Sequence, residues 1–151
     1  MRIGEYLKKE NCIMDLRAFS REAAIEEITE SLVRTGKVKN QEAFIQDVLE
    51  REKLGSTGIG LKVAIPHAPT EAVDTFVIGF GRSELGIDFQ AIDDEKVHLV
   101  FVMGTNPQEL SLYLKLLSEL SRLLRKTDFR EALLKAASPD EIVDIFKRFE
   151  A

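Results

Sequence analysis

Residues 97–103, Val-His-Leu-Val-Phe-Val-Met, are apolar nearly throughout. A strand with that pattern is a central one, buried on both faces. A sheet built around it needs a covering layer on each side, and the flanking sequence supplies candidates. Residues 3–8 read as a short helix and Asn11 to Leu16 as a short strand. Ser20 has the character of an N-cap. Ala24, Ile28 and Leu32 follow at helical spacing, and Gly36 is a stop signal. A second helix is predicted from Asn40 to Lys53, burying Phe44, Ile45, Val48 and Leu49. Val63–Ile65 and Thr75–Phe80 read as further strands. Leu110, Tyr113, Leu117, Leu120 and Leu124 form one stripe of a long helix, and Thr127 and Ser138 are candidate N-caps of two more. Ser138-Pro139-Asp140-Glu141 has the form of a capping box with proline at the first helical position. Helices outnumber strands in this reading, and the two are interleaved. The expected fold is α/β: a three-layer sandwich in which a small mixed β-sheet is flanked by helices on both faces. The 151 residues suffice for one domain, 1–151, with a sizeable core.

Several function classes are disfavoured by composition. The net charge is −5 and no Lys/Arg cluster stands out, which argues against nucleic acid or anionic lipid as the main partner. No apolar run approaches the roughly 20 residues of a membrane span, and the N-terminal residues lack the apolar core of a signal peptide. The single cysteine, Cys12, fits a reducing cytoplasm.

The chemistry concentrates between Arg51 and His67, where a helix end runs through Gly55, Ser56, Thr57, Gly58 and Gly60 into a short apolar strand and then Pro66-His67. Glycine permits close backbone approach, and successive N–H groups in such a loop form an anion-binding concavity. Ser56 and Thr57 add hydroxyl donors. By spacing alone, tight turns account for the three glycines equally well. Gly55 and Gly60 have Walker A spacing, but Leu61-Lys62 follows where Lys then Ser/Thr is required. No glycine stands three residues after Gly60, so a dinucleotide fingerprint is absent too.

His67 is the candidate nucleophile, since a neutral imidazole carries a free lone pair near neutral pH. Pro66 stiffens the backbone that presents it. The plainer alternative is a surface histidine without a role. Projecting the second helix at 100° per residue from Phe44 puts Val48 near 40°, Arg51 near −20° and Glu52 near 80°, so two charges of the last turn lie along the apolar face. Either both side chains reach past the helix end to water, or the guanidinium of Arg51 enters a pocket and binds oxyanions bidentately. Tyr113, on the same projection, lies at the centre of its helix's buried stripe, the position of an ordinary core residue. His98 lies in the apolar strand and reads as a satisfied sheet histidine. The two histidines stand far apart in sequence with no histidine or cysteine near either, so no metal site is expected.

Arg51-Glu52, Ser56-Thr57-Gly58-Ile59-Gly60 and Val63-Ala64-Ile65-Pro66-His67-Ala68 together resemble the signature of the enzyme IIA family of the bacterial phosphotransferase system. The likeness is to the fructose/mannitol class with its nitrogen-regulatory branch, and it extends over most of the chain. The resemblance implies a cytoplasmic phosphocarrier whose His67 accepts a phosphoryl group from the phosphorylated carrier protein HPr. Sugar-uptake members pass the group to a IIB domain and touch the membrane only indirectly, through a transporter complex. Nitrogen-regulatory members signal their phosphorylation state by binding other proteins. Arg51 matches the family's active-site arginine, and Ser56, Thr57, Gly58 and Gly60, within the matching stretch, are the candidate phosphate-binding loop. Tyr113 occupies the place where the family usually has a second active-site histidine. A degenerate module that binds partners without being phosphorylated is a further reading, favoured by Tyr113 alone. None of these readings calls for a metal or an organic cofactor.

Overall fold

A computed structural model describes residues 2–151. Its centre is a sheet of six strands: β1 (Cys12–Ile13), β2 (Gly58–Gly60), β3 (Val63–Ala64), β4 (His67–Pro69), β5 (Val77–Ile87) and β6 (Val97–Thr105). The sheet is mixed, in the order β1-β5-β6-β3-β2, with β4 also paired to β6. The apolar run is indeed central. On β6, Leu99, Phe101 and Met103 enter one core while Val100 and Val102 enter the other, the period-two alternation of a strand.

Among the described residues five α-helices supply the outer layers: α1 (Arg21–Arg34), α2 (Gln41–Lys53), α3 (Leu110–Leu124), α4 (Thr127–Lys135) and α5 (Pro139–Phe149). Through Ile28, Leu32, Phe44 and Val48, α1 and α2 cover the Val100 face. The opposite face receives α3, α4 and α5 through Leu116, Leu120, Phe129, Leu133 and Phe146, with Ile3 and Leu7 from the N-terminus. The three-layer α/β expectation therefore holds.

Several local expectations do not. The short helix expected over residues 3–8 is a single 3-10 turn, Ile3–Glu5, and a second such turn, Lys9–Asn11, follows that segment. The first strand is only Cys12–Ile13, Val63–Ile65 shortens to Val63–Ala64, and the Thr75–Phe80 strand starts later and runs on to Ile87. With β2 and β4 unforeseen, the six strands outnumber the α-helices. Ile45 and Leu49 are only half-buried, and Glu52 is buried in their stead. In α3 Leu110 is exposed and Leu117 half-buried, while Leu116 and Leu123 enter the core. Thr127 is the first helical residue rather than a cap; Lys126 precedes it without a side-chain capping bond. At α5 the Ser138 Oγ does accept from Glu141 N–H, but Glu141 reaches back to Ala137 N–H instead of closing a reciprocal box.

One close approach sets the position of α2. A Cβ placed on Gly104 of β6 would lie 2.5 Å from Phe44 Cε2 and 3.1 Å from Cζ. Only a bare backbone lets the Phe44 ring rest on the sheet there. Gly104→Ala is expected to cost about 1–3 kcal/mol through overpacking. That lowers the thermal midpoint by about 2–4 °C for each kcal/mol in a chain of this size. An unshifted melting curve would show that Phe44 yields freely and that this contact does not fix α2.

Candidate functional site

The backbone delivers His67 through an interruption. β3 and β4 lie end to end along one edge of β6: Val63 and Ala64 pair with Leu99 and Val100, then His67, Ala68 and Pro69 with Met103, Gly104 and Thr105. Between them stands Ile65-Pro66. Pro66 has no N–H to give the ladder, but its carbonyl still accepts from Met103 N–H at 2.9 Å. Ile65 turns its N–H to Thr57 O at 3.1 Å, tying the run-up to His67 to the glycine loop.

The Nδ1 of half-buried His67 lies 2.5 Å from Ile65 O. A carbonyl only accepts, so Nδ1 carries the proton and the lone pair of the neutral ring is on Nε2. The imidazole's pKa is held below its ordinary value of 6.5, first by burial and then by the positive charge of Arg51; the Ile65 hydrogen bond and Glu52 oppose this. A depressed value keeps the nucleophilic form populated to lower pH. Any uptake of an electrophile at Nε2 should hold its plateau rate through the range where a free imidazole is half protonated, falling only on the acid side of 6.5. A rate profile over about pH 5 to 8 with its midpoint at or above 6.5 would contradict this. The same sign governs stability. The unfolded chain takes up this proton before the folded one, so His67's contribution is intact above the unfolded value of 6.5 and is lost as pH falls below it through the folded value.

Arg51 closes the last turn of α2. Its Nη1 donates to Gly55 O at 3.0 Å. Among the described residues no carboxylate pairs with it, and its charge reaches both His67 and Tyr113. Tyr113 arrives from α3 on the other side, its ring centroid 6.0 Å from that of His67 at an interplanar angle of 51°. It is buried, and burial pushes its phenol up to about 12, so it stays a neutral donor. His67, Arg51 and Tyr113, separate in sequence, are thus brought to one place.

The loop behaves differently from a free row of donors. Ser56 Oγ donates to Phe89 O and accepts from Gly58 N–H at 3.0 Å. Thr57 gives its hydroxyl to Glu52 Oε1. Gly58 to Gly60 are strand, paired antiparallel with β3, and Gly60 takes φ +85°. Both hydroxyls and the Gly58 amide are therefore engaged within the protein, and what they accomplish is the shape of the segment. Sequence reasoning gave Glu52 no role. Its carboxylate is buried, binds Thr57 and lies 3.7 Å from Arg21 of α1, so it anchors the loop to two helices. Its projected place inside the apolar face was the signal.

His98 sits in β6, half-buried, with Nδ1 donating to Ser83 O at 2.8 Å. It is five residues from Met103, the partner of His67, which is about 16 Å along the strand. Among the described residues no three histidine, cysteine or carboxylate side chains converge as metal ligands would. Among the described residues no helix is long and apolar enough to cross a membrane.

Residues 5–149 match the family described as phosphoenolpyruvate-dependent sugar phosphotransferase system, EIIA 2. The fructose-specific EIIABC component of Bacillus subtilis is 37% identical over 150 residues; the match takes in 99% of this chain and 24% of that protein's length. A fructose-specific EIIA component from Haloferax volcanii is 39% identical over 126 residues, 83% of this chain and 82% of its own. The nitrogen regulatory protein IIA-Ntr of Neisseria meningitidis superimposes with a TM-score of 0.88 at 30% identity, covering 95% of this chain and 98% of that one. Enzyme IIA of the mannitol system of Escherichia coli, solved in complex with phosphorylated enzyme IIB, gives 0.77 at 27% identity over 92% and 95%. With nearly its whole length matched, the chain belongs to the EIIA 2 family of the phosphoenolpyruvate-dependent sugar phosphotransferase system.

Proposed function

We propose that this chain acts as a single IIA unit in the cytoplasm, taking a phosphoryl group from phosphorylated HPr onto Nε2 of His67 and passing it to a IIB partner. The observation that carries the reading is the Nδ1–H bond to Ile65 O. It leaves the lone pair of the neutral ring on Nε2 and gives the ring a partner for the positive charge it gains. In the transfer, that lone pair forms a bond to phosphorus while the donor's N–P bond breaks and its electron pair returns to the donor imidazole. His67 keeps its Nδ1 proton throughout. Phosphoryl transfer asks mainly for positioning and charge stabilisation, and the guanidinium of Arg51, which meets no carboxylate among the described residues, supplies the second. The Ser56, Thr57, Gly58 and Gly60 segment supports the phosphate site by holding its shape.

The test is incubation with phosphoenolpyruvate, HPr and its upstream kinase, followed by intact mass spectrometry. One acid-labile phosphoryl group is expected, and no gain in mass would defeat the proposal. The likeness to IIA-Ntr supports a second reading, a regulatory protein whose phosphorylation state is sensed by binding targets. Onward transfer to a fructose-type IIB domain favours the carrier; a phosphorylated chain that transfers to no IIB favours the regulator.

A further inference from the structure

Glu52 is the penultimate residue of α2 and is 4% exposed. For stability alone the position is a poor one. Burial penalises a carboxylate, and the last turn of a helix is the negative end of its dipole. Its partners show what it holds. Thr57 gives its hydroxyl to the carboxylate. The Thr57 carbonyl accepts from Ile65 N–H at 3.1 Å, and the Ile65 carbonyl accepts from His67 Nδ1 at 2.5 Å. Each link begins on the residue where the previous one ends. Arg21 of α1, 3.7 Å from Oε2 of Glu52, steadies the far end. Beyond Ile65, Pro66 keeps the backbone extended, and the Pro66 carbonyl is tied to Met103 N–H. The carbonyl that selects which ring nitrogen of His67 carries the proton is thus held from β6 on one side and from Glu52 on the other.

Resting on the phosphocarrier reading, we propose that Glu52 is a positioning residue for His67: through Thr57 and Ile65 it fixes the ring with the proton on Nδ1 and Nε2 bare, the form that attacks phosphorus. Glu52 takes no part in the transfer itself. It makes one tautomer and one ring orientation prevail before the donor arrives, so neither has to be selected at the transition state.

The test breaks the chain at two links and repairs one. The 15N resonances of a histidine ring report which nitrogen is protonated, and at about pH 8 the ring is neutral. Wild-type His67 should show the Nδ1–H form. Glu52→Ala and Thr57→Val should each show a mixture of the two forms. Their phosphoryl uptake from phosphorylated HPr should slow by about tenfold or more, since misplacing a reacting group by about 1 Å costs up to about 10²-fold. Thr57→Ser returns the hydroxyl and should recover the Nδ1–H spectrum and most of the rate lost in Thr57→Val. His98, bonded through Nδ1 to Ser83 O, is the internal control, and its resonances should stay put in every variant. Should Glu52→Ala fail to fold, the two Thr57 variants decide. A folded variant with the wild-type His67 spectrum overturns the inference whether or not its rate falls, because a slower rate alone is what a merely structural support would give; the phosphocarrier reading survives that result. Wild-type protein that takes up no phosphate, while its His67 spectrum still responds to both broken links, overturns the phosphocarrier reading and leaves the control of the ring standing.

Discussion

His67→Gln is expected to take up no phosphoryl group at all, while His98→Gln is labelled like the wild type. The amide side chain approximates the imidazole in size but has no nitrogen lone pair to attack phosphorus. No other group near the site replaces it. The hydroxyl of Thr57 is given to buried Glu52, that of Ser56 to Phe89 O, and the phenol of Tyr113 is held protonated by burial. Cys12 is buried in the core with its thiol pushed up to about 12, which removes the thiolate as a rival. Because half-buried His67 lies on a short interrupted strand, the variant should melt within a few degrees of the wild type, which separates lost chemistry from lost fold. Label remaining on the His67 variant, read by intact mass, would move the phosphorylation site elsewhere.

What the sequence made legible, and what it did not, follows from the range of the interactions involved. The β6 run and the stripes of α1 and α3 announce themselves by local periodicity, and they sufficed for the layers. The β2–β3 hairpin did not, because its two turn residues are Leu61 and Lys62, at φ 58° and 68°. Such turns normally carry Asn-Gly or Asp-Gly, so the stretch reads as loop. β4 escaped because three residues that follow Pro66 and end in Pro69 carry no alternation; it is defined only by the β6 edge it lies on. The end of α4 depends on Arg82, whose guanidinium donates to the carbonyls of Leu133, Leu134 and Ala136. That bond set spans more than fifty residues of chain and leaves no trace in any window of sequence. At the site, the histidine and the arginine were visible as residue types at a helix end and after a strand. The engagement of the Ser56 and Thr57 hydroxyls was not, since it depends on where Phe89 and Glu52 come to rest.

Arg51→Ala is expected to slow phosphoryl transfer to His67 by about 10²–10³-fold, the cost of about 2.7–4 kcal/mol seen when one anion-stabilising donor is removed. The guanidinium has no carboxylate among the described residues to neutralise it, so its positive charge is available to the oxygens of the transferring group. Its bond to Gly55 O restrains the planar fork in advance and limits the entropy lost at the transition state. Lysine keeps the charge but presents a point instead of a fork, so Arg51→Lys should fall between alanine and wild type. A second signature comes from the imidazole. Arg51 helps to hold the His67 pKa down, so its loss raises that value, and the acid limb of the rate profile should move to higher pH in Arg51→Ala. Removing the side chain opens no core cavity, because it is half exposed at a helix end. Its effect on the melting temperature should be small, as for surface substitutions generally. Single-turnover transfer measured across pH checks both effects. An alanine variant with wild-type rate and an unmoved acid limb would leave Arg51 as a helix-end charge that serves only to cap its own turn.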